Sequence, residues 1–396
     1  MFKVIAHIIS YCVYYISFLL PRSRKQLVFG GPGSAFSNNS KYLFIYCAEN
    51  CPDLEICWLT RSHQTVAQVR EMGFHAYWIY SPVGIWKALR AKFWFFNTYS
   101  AEIMFFLSGG ATLVNLWHGV GLKRIEFAMA HEGPLADRYV RRTFKERFFN
   151  PQCFQRPAYF LSSTDFQSEL FAHAFRIPLA RCMNLGYPRN RILLESKENI
   201  YSFVEKYEPA QTKCLIEQIA AFDKVYIYMP TWRDSQQDIF VQNMDLERLS
   251  SVLRLQNAVL MLKPHPMTRV DNINQFDNII LVDSAVDIYP VLPFTDVLIT
   301  DYSSILYDYL LMPQKQVILY LYDYADYVND RGFYYPFDEN VVGKRVDTFD
   351  GLLATIEKQD YVMDNSERKR ILNKFWADTM QQDVCANILR QTHVIS

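Results

Sequence analysis

The chain has no excess of charge: 41 lysines and arginines balance 41 acidic residues. A domain whose whole surface grips nucleic acid is usually strongly basic, which argues against that class, and no nucleic-acid partner is expected. Histidine is scarce, with eight in 396 residues, and the eight cysteines form no Cys-x-x-Cys pair. No His or Cys follows Cys47, Cys51 and Cys57 at zinc-finger spacing, so the cysteines read as reduced, mostly buried thiols of a cytosolic protein. Glycine is low, at 14, while half the residues are hydrophobic. Those two facts exclude collagen-like and disordered chains. No low-complexity tract and no internal repeat is present, which excludes a solenoid or a propeller.

What is present is aromatic and apolar. Residues 2–20, FKVIAHIISYCVYYISFLL, precede Pro21 and the basic residues Arg22, Arg24 and Lys25. The run approaches a bilayer span but carries Lys3, His7 and several hydroxyls. It also lacks a small-residue cleavage site, so a cleaved signal peptide is not expected. An interfacial anchor, a helix packed on its own domain and a membrane span all stay open. Each leaves the body cytoplasmic, because the basic flank is C-terminal to the run. Residues 1–20 are therefore read as a membrane-associating helix.

Eleven short apolar runs, rich in β-branched and aromatic residues, alternate with helical stretches. They cover 26–29, 55–59, 76–79, 93–97, 112–116, 159–162, 225–229, 259–263, 279–282, 297–300 and 317–320. Such runs predict parallel βαβ units, and eleven of them predict two doubly wound sheets. The division is placed at 207/208, with 21–207 and 208–396 as the two domains and the last helices returning to the first. Ligands of doubly wound sheets bind beyond the carboxyl ends of strands. The chemistry-bearing motifs of both halves follow strands, which predicts a site in a cleft between the domains.

Five motifs stand out. NLWHGVGLK (115–123) puts His118 between a strand and two glycines, with Trp117 before it, Gly119 after it and Lys123 five residues on. A histidine titrating near pH ~6.5 suits proton transfer, and a lysine suits phosphate. A histidine merely satisfied in a tight turn has the same local signature. YMPTWRDS (228–235) brings Thr231, Trp232 and Arg233 to a strand end. Arginine can meet phosphate in bidentate fashion, and threonine can cap a helix. LKPHPM (262–267) holds His265 between two prolines beside Lys263. The prolines reduce the entropy of placing the imidazole. LITDYSSILYDYL (298–310) follows a strand with Asp301, Ser303, Ser304 and Asp308. Free N–H groups and hydroxyls at a helix start suit an anion, and simple N-capping is the structural alternative. DRGFY (330–334) offers Arg331 and Gly332 with Tyr324 and Tyr327 nearby, either for a nucleotide or as a plain turn.

In order and placement, WHGxxxK, PTWR, KPHP, TDYSSxxxD and DRGxY resemble the CDP-glycerol glycerophosphotransferase family, across about residues 26–390. The resemblance implies an α/β fold of GT-B type, two Rossmann-like doubly wound domains facing across a cleft. It implies an acceptor-binding, membrane-facing first domain and a donor-binding second domain. His118 and His265 take its catalytic histidine positions. Thr231, Arg233, Ser303, Ser304 and Asp308 take positions that bind or organise the CDP-glycerol phosphates, and Lys123 and Arg331 are similar to positions nearby. The implied partners are CDP-glycerol, a lipid-linked saccharide acceptor and the cytoplasmic membrane surface. The implied reaction transfers glycerol phosphate and releases CMP. WHGVGLK in place of WHGTPLK, and KPHP in place of an RxH form, leave open the acceptor and the choice of glycerol or ribitol. A sugar-nucleotide glycosyltransferase and a silent polymer-binding membrane protein are the other readings. No DxD or carboxylate cluster stands out for Mg²⁺, so no obligatory metal is expected. Finally, DRYVRRTFKERFF (137–149) spaces Arg138, Arg141, Arg142 and Lys145 for one basic helical face. Such a face suits an anionic membrane surface or an anionic polymer, and equally a solvated surface.

Overall fold

The computed structural model describes residues 2–129, 136–231, 244–264, 275–283, 286–330 and 332–395. It divides into two compact units. The first comprises Met1–Gly119, Arg124–Arg189 and Trp376–Ser396; the second comprises Val120–Lys123 and Asn190–Phe375.

The first unit is built on a seven-stranded parallel sheet. Its strands are β1 (Ser23–Phe29), β2 (Glu55–Thr60), β3 (Ala76–Trp78), β4 (Ala91–Phe96), β5 (Thr112–Asn115), β6 (Tyr159–Ser162) and β7 (Cys182–Asn184), in the order β3-β2-β1-β4-β5-β6-β7. The second unit repeats the plan with six strands: β8 (Lys224–Met229), β9 (Ala258–Leu262), β10 (Ile279–Leu281), β11 (Val297–Thr300), β12 (Gln316–Tyr320) and β13 (Lys344–Val346). Their order is β10-β9-β8-β11-β12-β13, again parallel. The central strands are mostly apolar and buried toward their C-terminal ends, with β1 running from exposed Arg24 and Lys25 to buried Leu27–Phe29, and all four residues of β11 are buried. All eleven expected runs form strands. The two extra strands, β7 and β13, are three-residue edges reading Cys-Met-Asn and Lys-Arg-Val, with no apolar run to announce them.

The chain leaves the first unit after Arg189, earlier than the division at 207/208 read from sequence. The helix Lys197–Tyr207 belongs to the second unit because it packs on the helix Ala210–Ile219, and Tyr201 meets the Phe294 ring at 5.3 Å. The C-terminal helix Val384–Gln391 packs in the first unit on the helix Asn38–Asn50, where Tyr46 donates to Asp383 at 3.2 Å.

The N-terminal helix Phe2–Ser17 docks one face on the first unit. Tyr14 stacks on Phe105 at 4.7 Å, His7 meets Phe106, Phe148 and Phe149, and Tyr11 donates to the Phe148 carbonyl at 3.0 Å. Its other face leaves Ile5, Ile8, Ile9 and Ile16 exposed, and Phe18 and Leu19 continue that surface. Among the described residues no helix is long and apolar enough to cross a membrane. All eight cysteines are free thiols, and half of them are buried.

The basic segment is not one helix. Ala136–Tyr139 and Phe144–Phe149 are separate helices, and Arg142 between them takes a left-handed backbone with φ 53°. Arg138 pairs with Glu146 at 2.7 Å and Arg141 with Asp137 at 2.6 Å. The four basic residues therefore do not form a single free face. Arg22, expected to flank a membrane helix, is likewise spent inside the fold. Its guanidinium donates to the carbonyls of Ala88 (2.9 Å), Ala91 (2.7 Å), Leu107 (2.7 Å) and Gly109 (2.8 Å). Burial pushes its pKa down to about 10, still cationic at neutral pH.

The fork geometry of Arg22 cannot be copied by an ammonium. Arg22→Lys is expected to lower stability by about 2–4 kcal/mol, because several half-buried carbonyls lose their donor. Chemical denaturation of the full chain checks this; an unchanged midpoint would mean that water replaces the guanidinium.

Candidate active site

The candidate site of the first unit is the loop after β5. Trp117 has φ 50°, a conformation that a bulky residue rarely adopts, and Gly119 has φ 122°. A strained loop persists only where its surroundings over-determine it. Here buried side chains do so. Asn39 donates its amide to the carbonyls of Leu116 (3.2 Å) and Trp117 (2.9 Å). Its amide oxygen accepts from the Arg189 backbone at 3.2 Å. Asn115 accepts from the Trp117 N–H at 2.9 Å and donates to the Thr98 carbonyl at 2.8 Å. Arg189 donates to the His118 carbonyl at 2.7 Å and to Asn38 at 2.7 Å. Tyr187 donates to the Gly119 carbonyl at 3.1 Å.

The Trp117 ring is buried against Phe160, Phe171 and Phe175, and it packs on His118 with centroids 4.0 Å apart. Trp117 is thus a wall behind the imidazole, and His118 keeps an exposed face. The protein packed around the imidazole and, second, the positive Arg189 hold it below the usual histidine range. At neutral pH the ring is unprotonated, the state a general base needs.

The preceding loops belong to the same clamp. β1 and β4 are neighbours where the strand order reverses. Beyond β1, a Cβ on Gly31 would meet the Ala35 carbonyl at 2.2 Å, so the Gly30-Gly31 pair serves close packing. Beyond β4, Asn97 donates to Ser40 at 2.9 Å and fixes the start of the helix that carries Asn39.

In the second unit the order reverses between β8 and β11. The two loops beyond them are tied together: both carboxylate oxygens of Asp301 accept from the Thr231 N–H, at 2.9 and 3.0 Å. Lys123 reaches the Thr231 hydroxyl at 3.5 Å and lies 5.6 Å over the Tyr327 ring. Val120–Lys123 is held by the DRGFY segment: Lys123 bridges Phe333, the Tyr334 N–H donates to the Leu122 carbonyl at 3.1 Å, and Tyr335 donates to the Gly121 carbonyl. Gly332 supplies the left-handed turn (φ 63°) that leads into this pairing. Ser303 and Ser304 are partly exposed at the start of the helix Ile305–Tyr309.

Other expected site residues turn inward. Asp308 is buried and accepts from Asn190 at 2.9 Å and from Tyr289. Lys263 donates to the carbonyls of Asp283 (2.6 Å) and Val286 (3.2 Å), and burial lowers its pKa. Tyr327 stacks on Tyr302 at 4.0 Å inside an aromatic cluster with Phe333 and Phe337, so it forms core instead of an open stacking face. Trp232, Arg233, His265 and Arg331 lie outside the described residues.

Asn39, Asn115 and Arg189 were missed from sequence. Asn39 closes the FGGPGSAFSNN stretch and Arg189 lies in GYPRN, but no local spacing connects either to His118. Asn39→Ala removes the Asn39 side-chain partner of two carbonyls of the strained loop and of the Arg189 N–H. A loss of about 2–4 kcal/mol is expected, read by thermal and chemical denaturation; a loss under ~0.5 kcal/mol would refute the clamp.

Comparison with known proteins agrees with this architecture. The family model for CDP-Glycerol:Poly(glycerophosphate) glycerophosphotransferase matches residues 12–383. A teichoic acid glycerol-phosphate transferase of Staphylococcus aureus is 26% identical over 366 residues, 90% of this chain and 89% of the relative. The teichoic acid ribitol-phosphate polymerase TarL of the same organism is 29% identical over 259 residues, 63% of this chain and 42% of the relative. A solved structure of a variant of the wall teichoic acid polymerase TagF has the same fold, of GT-B type. Its TM-score is 0.77 at 21% identity, covering 99% of this chain and 96% of that chain. Matched over nearly its whole length, the chain is a transferase and belongs to the CDP-glycerol:poly(glycerophosphate) glycerophosphotransferase family.

Proposed function

We propose that this transferase passes glycerol phosphate from CDP-glycerol to a hydroxyl of a lipid-linked saccharide or of a growing glycerol phosphate chain, in teichoic acid or related polymer synthesis. The observation that carries the reading is His118: an unprotonated imidazole with one open face, on a loop over-determined by Asn39, Asn115, Arg189 and Tyr187. His118 takes the proton of the acceptor hydroxyl. The oxygen attacks the phosphorus that bears glycerol, the bond from that phosphorus to the bridging oxygen breaks, and CMP leaves with the electron pair. A phosphodiester is formed. Positioning and electrostatics carry most of such a transfer.

In this reading Ser303, Ser304 and Thr231 meet the donor pyrophosphate, with Lys123 supplying positive charge. His265, Trp232, Arg233 and Arg331 join them by family resemblance alone. Asp301, Asp308 and Lys263 hold the loops that present these groups. The apolar outer face of the N-terminal helix, with exposed Phe144 and Lys145 nearby, would rest on the cytoplasmic membrane surface where a lipid-linked acceptor resides.

Purified protein given CDP-glycerol and a lipid-linked disaccharide should release CMP and add glycerol phosphate units, counted by product mass. His118→Ala should lower kcat by about 10²–10⁴-fold. Turnover with CDP-ribitol and none with CDP-glycerol would replace the donor, and His118→Ala at wild-type rate would remove the base.

The pH profile follows from the direction of the His118 shift. Desolvation first, and the neighbouring positive charge of Arg189 second, disfavour the imidazolium, so the acid limb of kcat/KM should fall below the ordinary histidine value of about 6.5. Arg189→Gln removes that charge, and the limb should move to higher pH. A limb unmoved by Arg189→Gln would show that Arg189 only positions the loop.

A further inference from the structure

Four arginines of the first unit, Arg142, Arg147, Arg156 and Arg176, have no carboxylate partner among the described residues, in contrast to Arg138 and Arg141 nearby. Arg142, Arg156 and Arg176, all exposed, line a small cavity of about 40 Å³ that opens to solvent and whose walls include Thr98, Asn115 and Gln155. Arg142 and Arg176 both take left-handed backbone, with φ 53° and 52°. Both guanidiniums are thereby brought over the Phe127 ring, at 5.6 and 4.6 Å. Burial, then the like charges of Arg176, Arg147 and Arg156, holds the Arg142 guanidinium below its usual range. Like charges gathered this way cost free energy that a bound anion relieves.

Arg142 also lines a second depression, with Tyr11, Phe144, Arg147 and Phe148, against the N-terminal helix. An apolar groove and a cationic cavity thus meet at one side chain. On its other side the cavity reaches Asn115, the residue that fixes the Trp117 N–H. Asn115 and His118 are three residues apart, at most about 11 Å of extended chain. The cavity therefore lies beside the strand end whose loop carries the imidazole.

We infer that the arginine-lined cavity binds the phosphate or pyrophosphate of the acceptor, with its apolar chain in the groove beside Tyr11 and Phe148. The inference rests on the transfer reaction proposed above. Guanidinium groups suit this ligand because their paired N–H donors match phosphate oxygens. Lipid headgroups of the bilayer carry the same phosphate chemistry. A flat bilayer does not enter a concavity floored by Thr98 and Asn115, whereas a single phosphate ester does.

The test uses the full chain with Arg142→Asn and Arg176→Asn together, because asparagine tolerates left-handed backbone. Arg156→Gln is the second variant, and melting curves check that each folds. The acceptor is a water-soluble, short-chain prenyl pyrophosphate disaccharide, and inorganic pyrophosphate is the binding probe. Acceptor KM is expected to rise about 10–100-fold, with donor KM and kcat moving less than about twofold. Calorimetry with the donor site filled by CDP-glycerol should show pyrophosphate binding to wild type and its loss in the variants. Should the variants keep acceptor KM and instead lose binding to phosphatidylglycerol vesicles, the arginines serve bilayer headgroups and the inference falls. It falls also if wild type and variants bind pyrophosphate equally. If wild type shows no turnover with CDP-glycerol but binds pyrophosphate in an arginine-dependent way, the reaction reading fails and the anion cavity stands.

Discussion

The buried amide of Asn39 is the contact on which the rest of the first-unit site depends. A tryptophan at φ 50° is not a conformation the chain holds by itself. Asn39 supplies two donors to the loop and accepts from the backbone of Arg189. Arg189 in turn grips the His118 carbonyl. One side chain therefore joins the start of the helix after β1, the loop after β5 and the last residue before the chain leaves the unit. Because Asn39 is fully buried, water cannot substitute for any of these bonds without a cavity opening. The imidazole inherits its placement from a network that it does not itself enter through its ring.

The same economy appears in the second unit with different chemistry. Asp301 accepts from the Thr231 N–H with both its oxygens. The two loops at the reversal of strand order are then one object. In both units the central strands bury an apolar stretch, and the polar groups of the candidate sites follow the strands' carboxyl ends. This is a consequence of parallel sheets: covered on both faces, they leave only their ends for polar function.

That division explains what the sequence shows and what it hides. Apolar runs bounded by helices are local signals, so all eleven were legible, and so were the motifs that follow them. The edge strands Cys182–Asn184 and Lys344–Val346 were not, since unlike the opposite edges β3 and β10 they carry no apolar run. Motif membership also did not tell a residue that faces outward from one that faces inward. Asp308 and Lys263 sit in the right motifs, yet both spend their polar atoms on neighbouring protein. Asn39 and Arg189 were invisible for the opposite reason: their partners are 77 and 71 residues away along the chain, at Leu116 and His118. The basic spacing at 138–145 failed because helical periodicity presumes a helix. The left-handed turn at Arg142 sends its guanidinium elsewhere.

Part of the backbone strain lies beside the candidate site. Of eleven non-glycine described residues with positive φ, four, Trp117, Glu126, Arg142 and Arg176, lie in the loops and helix end beside β5 and β6. Each such residue costs of the order of 1–3 kcal/mol. Their compensation is visible. Trp117 has its aromatic wall and buried amides, Glu126 accepts from Tyr99 at 2.6 Å, and Arg142 and Arg176 share the Phe127 face. For the two arginines a ring face balances part of the charge, and among the described residues no carboxylate pairs with either, so solvent carries the remainder. A neutral chain thus holds an unneutralised cationic corner by forcing two backbone positions into the left-handed region. Sequence charge counts cannot reveal such a corner, because the balancing acids are elsewhere on the molecule. An anion that is not part of this chain is the natural completion of the set.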